Sequence, residues 1–147
     1  KHMKILWRKH NLAITNVGHG ATEAALQALK RNELFVVYSD VCLRPTRGAW
    51  FRLGSAAINV DMGPAKLAFM SNAPILRLSN HRQPDSRFVV SISPEMERTD
   101  SPENLTQLWL DELHRELLCW PEQWWLLTLI PLKIPSSVPL SAARETQ

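Results

Sequence analysis

Cysteine is scarce: Cys42 and Cys119 are the two present among 147 residues. Without C-x-x-C spacing they supply neither a metal knuckle nor a disulfide framework, so a reducing compartment is the default reading. A long hydrophobic run is also lacking. The longest, around Trp124 to Leu132, falls short of the roughly 20 apolar residues a transmembrane helix needs. No signal peptide is visible at the start, and no segment repeats. Charge of one sign is not in large excess either: 17 Lys and Arg stand against 14 Asp and Glu, for a formal net charge of +3 and a pI near 9.1. That balance is compatible with an anionic lipid surface or an acidic carrier protein. With no basic stripe interleaved with aromatics, nucleic acid is not an expected partner.

What remains is an ordinary globular composition, 45% hydrophobic, in a chain long enough for one buried core. Leu12 to Val17 reads as a short strand ahead of Gly18 and Gly20. Ala21 to Arg31 carries Ala24, Ala25, Ala28 and Leu29 at helical spacing, with Asn32 as the stop. Leu34 to Ser39 (LFVVYS) is a continuous apolar run rich in strand formers, the pattern of a strand buried on both faces. Pro45 and Gly48 mark Val41 to Ala49 as a loop. Trp50 to Leu53 reads as extended, and Met62 to Asn72 as a helix with Asp61 as candidate N-cap and Pro64 in its first turn.

Two further strands, Pro74 to Leu78 and Arg87 to Ser93, flank a turn-rich HRQPDS. Asp100-Ser101-Pro102-Glu103 opens a helix to about Leu118, with Leu105, Leu108, Trp109, Leu113 and Leu117 as its buried face. The order of elements predicts an α/β layered domain, a mixed central sheet covered by helices. Residues 1–134 form that domain, and the polar, small residues 135–147 read as a flexible tail.

Two segments carry the most information: WFRLGSAAINVDMGPAKLA from Trp50 to Ala68, and WPEQWW from Trp120 to Trp125. The first holds an aromatic-x-Gly-x-Ala element followed by Gly-Pro-Ala-x-Leu-Ala; the second holds Pro-Glu-Gln-Trp. In this order and spacing they resemble the later part of the bacterial lipid A biosynthesis acyltransferases of the lauroyl/myristoyl type, within the lysophospholipid acyltransferase superfamily. The resemblance spans about Ala24 to Leu132. It implies transfer of a fatty acyl group from an acyl-carrier-protein or coenzyme A thioester to a lipid hydroxyl, with no metal or organic cofactor. Its implied partners are that acyl donor, an anionic lipid acceptor and a membrane surface. The implied location is the cytoplasmic face of the bacterial inner membrane, peripherally attached, or the cytoplasm without an anchor. An open strand edge would favour a homodimer.

In this family a histidine acts as general base, oriented by an Asp or Glu that follows after four intervening residues. No histidine of this chain fits: His10 meets Thr15, His19 meets Ala24, His81 meets Ser86 and His114 meets Cys119. His19 with Glu23 and His81 with Asp85 miss by one residue. The family places the catalytic histidine upstream of the matching region, so an unconventional site or a non-catalytic, degenerate domain binding a lipid, acyl chain or partner is the rival expectation.

His19, between two glycines after a strand, and Asp40, at the end of the Leu34–Ser39 strand where ligands gather in open α/β sheets, are the candidate catalytic groups. The family resemblance also implies an Asp at the position of Asp40, though Tyr38-Ser39-Asp40 departs from its commoner Pro-Asp-Gln. Arg44, Arg47 and Arg52 flank the loop as candidates for an anionic headgroup. Gly54 permits a bend, and the helix start at Gly63 offers backbone N–H groups to a phosphate or acyl carbonyl. Trp120, Trp124 and Trp125 with the leucines after them either dip into a membrane or pack on the sheet. A hydrolase built on Cys42 or Ser39 ranks last, because Ser39 lacks a Gly-x-Ser-x-Gly elbow.

Overall fold

The computed structural model describes residues 13, 18, 20–42 and 46–124. The chain divides into two compact units, one up to Val36 and one from Val37 onward. In the first, α1 (Ala21–Lys30) follows the spacing of its alanines and leucine, buries Ala25 and ends at Arg31 and Asn32. Asn32 takes a left-handed φ of 58°, a conformation asparagine tolerates better than most residues, which stops the helix where the sequence places the stop.

The segment that follows α1 differs from expectation. Leu34 to Tyr38 adopts no strand, and Leu34, Val36 and Tyr38 are 89%, 76% and 81% exposed. A strand buried on both faces requires neighbours to pair with, and none runs alongside this segment among the described residues. The architecture is mixed α/β, but its described sheets are two antiparallel hairpins, with no mixed central sheet among the described residues.

β1 (Ala49–Leu53) pairs with β2 (Ala56–Val60), Leu53 standing opposite Ala56 across a two-residue turn at Gly54-Ser55. Such a tight hairpin turn favours glycine at its first central position, and Gly54 has φ 61°. Strand β2 lacks a clear alternating signature, and sequence reading missed it; Ala57, Ile58, Asn59 and Val60 are all buried.

Helix α2 (Gly63–Ser71) starts beside Asp61, whose Oδ1 accepts the Gly63 backbone N–H at 2.8 Å. Asp61 thus satisfies one open donor of the first turn from one position before the cap residue Met62. β3 (Leu76–Arg82) and β4 (Phe88–Glu95) form the second hairpin, with a bulge between Leu76 and Leu78. At the bulge the Arg77 N–H donates to Ser93 Oγ at 2.8 Å.

α3 (Pro102–Cys119) is the longest element. Ser101 caps it by accepting the Asn104 N–H at 3.1 Å, and Pro102 occupies the first turn, where its missing N–H costs nothing. The helix packs on β1 and on α2. Leu105, Trp109 and Leu110 meet Leu53, Ile58, Val60, Ala65 and Trp124 in the core, with Leu113 and Leu117 at its margin. Each fully buried aliphatic side chain contributes about 1.5–3 kcal/mol. Thr106, also fully buried, donates its hydroxyl to the Pro102 carbonyl at 2.8 Å and so carries no desolvation penalty for that proton. A 3-10 turn at Pro121–Gln123 closes the described chain ahead of Trp124.

Candidate functional site

The Pro-Glu-Gln-Trp motif and the candidate catalytic Asp40 meet through one contact. Trp124, the tryptophan of Pro-Glu-Gln-Trp, is buried in the core, and its indole Nε1–H donates to Asp40 Oδ2 at 2.9 Å. A buried indole needs an acceptor for its N–H. Asp40 supplies it from a segment 84 positions earlier, and Val41 packs against the same core. For Trp124, packing rather than surface insertion is therefore observed. Trp120 lies farther out, 39% exposed, with its ring stacked on His81 at 4.1 Å between centroids.

Two of the arginines expected to meet an anionic headgroup are described. Arg47 is exposed on a turn, and Arg52 is exposed on β1 with its guanidinium 3.7 Å from Asp111 on α3. Gln107 holds this end of β1 from the helix side. Its Oε1 accepts the Arg52 N–H at 3.1 Å, and its Nε2 donates to the Arg52 carbonyl at 3.0 Å and to Asp111 Oδ1 at 2.9 Å. Arg52 thus sits in a network with Asp111 and Gln107, leaving part of its surface toward solvent.

The glycines show structural reasons for their presence. A side chain at Gly54 would place its Cβ 2.3 Å from His114 Nε2, so the imidazole occupies the space beside that turn. At Gly63 the N–H is already taken by Asp61. His81 and Asp85 take different partners: the ring lies on Trp120, and Asp85 Oδ2 accepts Arg87 Nε–H at 2.6 Å. His19 and Arg44 lie outside the described residues. Sequence reading missed His114 beside Gly54, since 60 positions separate them and no spacing rule connects them.

A cavity of about 190 Å³ opens between the end of α2 and the start of α3, lined by Ala68, Phe69, Ile75, Met96 and Leu105 with Arg98 among its polar groups. Arg98 is engaged with Asn72, through the side-chain Oδ1 and, at 2.7 Å, the backbone carbonyl. Its apolar lining suits a short stretch of hydrocarbon better than a headgroup. No cluster of three or more His, Cys, Asp or Glu among the described residues is placed to hold a metal ion.

The family model for bacterial lipid A biosynthesis acyltransferases matches residues 4–129, nearly the whole chain. The chain belongs to this family. The match covers the hairpin at Gly54, helix α2, the Asp40–Trp124 contact and helix α3 together. A comparison with curated proteins finds no match. Among the described residues, no helix is long and apolar enough to cross a membrane.

Proposed function

We propose that this family member moves a fatty acyl group from an acyl-carrier-protein or coenzyme A thioester to the hydroxyl of a lipid A-type acceptor. The observation that carries the reading is the family match over residues 4–129. In the reaction the acceptor oxygen attacks the thioester carbonyl carbon, the carbon–sulfur bond breaks, and the thiol leaves with the proton removed from the hydroxyl. The thioester is already activated, so the protein's tasks are proton removal, positioning and charge stabilisation. His19 is proposed as an unconventional base, with Asp40 near it in role. Arg44, Arg47 and Arg52 are proposed to meet the acceptor's anionic groups, and the helix start at Gly63 the acyl carbonyl or a phosphate. The action is proposed at the cytoplasmic face of the inner membrane.

A second reading has its own support. No histidine in the chain carries the family's Asp or Glu at the expected distance, and Asp40 Oδ2 serves a tryptophan of the core. On this reading the chain is a degenerate acyltransferase domain that binds an acyl chain or lipid without transferring it. Purified chain given a labelled acyl-carrier thioester and a lipid A precursor separates the two. Transfer that His19→Ala abolishes supports the enzyme. A folded chain with no transfer supports the binding domain.

A further inference from the structure

A two-faced antiparallel sheet ordinarily turns its apolar side to the core and its polar side to water. The second hairpin does the reverse. Its register pairs Leu76 with Glu95, Leu78 with Ile92, Asn80 with Val90 and Arg82 with Phe88. These rows share one face and all their side chains are exposed, Phe88 by 68% and Ile92 by 65%. Polar contacts hold the opposite face inward. Arg77 Nη1 pairs with Glu116 Oε2 of α3 at 2.7 Å, and His81 stacks on Trp120. Gln123 ties β3 by its edge, accepting the Arg82 N–H at 2.6 Å and donating to the Arg82 carbonyl at 2.9 Å. The apolar side is thereby fixed outward.

Charge is ordered along that outer face. Arg82 stands at the turn end and Glu95 at the opposite end, with Leu76, Leu78, Phe88, Val90 and Ile92 along its length. Arg82 donates to the neutral Ser86 Oγ at 3.0 Å, while Arg87 is paired with Asp85. Among the described residues neither Arg82 nor Glu95 has an ion-pair partner within 4.0 Å. One cation and one anion leave the face without net charge, so it favours neither a purely anionic nor a purely cationic surface. An end-to-end reversal of sign is matched by the same face turned around.

Consider a two-fold axis lying between two such faces and running across the strands. It reverses strand direction from one copy to the other, so β3 lies over β3 and β4 over β4. Val90 of each copy then meets Ile92 of the other near the axis. The turn end with Arg82 lies over the end that carries Leu76 and Glu95 in the second copy. Packed sheets stand about 10 Å apart, a gap that an arginine and a glutamate bridge together. An isologous contact presents each such pair twice. Five apolar side chains offer on the order of 500 Å² per copy. Two copies bury roughly 1,000 Å² before the polar ends are added, the lower bound of a specific interface and well short of an obligate one.

We propose that the outer face of β3–β4 is the contact of a reversible two-fold homodimer, with Arg82 of each copy paired with Glu95 of the other. The inference goes beyond acyl transfer and holds whether or not the chain transfers.

The test is sedimentation velocity of the purified chain over a concentration series, which should show a monomer–dimer equilibrium. Val90→Asp/Ile92→Asp should raise the dimer Kd at least about tenfold with an unchanged circular dichroism spectrum, since both side chains already face solvent. Arg82→Glu and Glu95→Arg should each weaken pairing several-fold, because like charges then meet at both ends. Mixing those two variants should restore it, since each offers the other the opposite charge. The two positions are about 20 Å apart along one hairpin at roughly 3.3 Å per residue, so restoration reports a contact between copies. Leu34→Asp, in the other unit, should stay within about twofold of wild type.

The proposal falls if wild type is monomeric throughout the series, if the double variant dimerises as tightly, or if Leu34→Asp costs as much. Should the double variant fail to fold, the mixture of charge variants decides: pairing no better than in either alone overturns the proposal. A monomeric wild type that floats with phosphatidylglycerol vesicles, where the double variant does not, gives the face to a lipid and overturns it as well.

Discussion

At the residue scale, Asp40 is the position where a functional and a structural account make different demands. Its Oδ2 satisfies a buried indole, and leaving such a donor unpaired costs about 1–3 kcal/mol. Asp40→Ala should therefore lower unfolding free energy by about that much in urea denaturation, with a shift in tryptophan emission. Asp40→Asn keeps an amide oxygen in place and should recover most of the loss. If Asp40 also orients a base, Asp40→Asn should still lose acyl transfer while keeping its stability, a split that a purely structural role does not produce.

Gly54 makes a second residue-scale case. Alanine there would carry a left-handed φ and a Cβ against His114. Gly54→Ala should cost about 1–3 kcal/mol. In a His114→Ala background the steric part should vanish and the backbone part persist, which a double-mutant cycle resolves. The bend was legible from the glycine itself. The imidazole across it was not, because nothing in a single chain links position 54 to position 114.

At the scale of elements, α3 was the most legible part. Its Asp-Ser-Pro-Glu opening and its apolar spacing agree with one another, and Pro102, Leu105 and Trp109 sit as that agreement requires. Ser101→Ala should destabilise the unit by about 1 kcal/mol, visible as a lower midpoint in thermal or urea unfolding. The β3–β4 pairing was also visible from its turn, though the observed strands reach past the expected ends. Leu34–Ser39 misled for a physical reason. An apolar, β-branched run reports what a segment would do given neighbours on both sides, and those neighbours are not beside it among the described residues. Strand β2 failed in the opposite way: Ala56-Ala57-Ile58-Asn59-Val60 is buried nearly throughout, so its small and polar members hide the alternation that a half-exposed strand displays.

At the scale of the whole molecule, motif order showed more than periodicity. Gly-Pro-Ala after an aromatic-x-Gly-x-Ala element, with Pro-Glu-Gln-Trp later, pointed to the family that the match over residues 4–129 establishes. The site was less legible. Asp40 and the tryptophan of the final motif come together, Arg47 and Arg52 are each exposed, and His19 and Arg44 fall outside the described residues. Side-chain meeting points depend on tertiary packing, and packing leaves no trace in spacing across long loops.

The proposed activity rests on one claim: the chain recognises an acyl thioester. The most direct measurement is a titration of the purified, folded chain with a non-hydrolysable acyl-carrier thioester, followed by tryptophan emission and by calorimetry. The account predicts saturable binding that a longer acyl chain strengthens and the bare carrier lacks. A folded chain that binds neither the acyl thioester nor the bare acyl chain would contradict it.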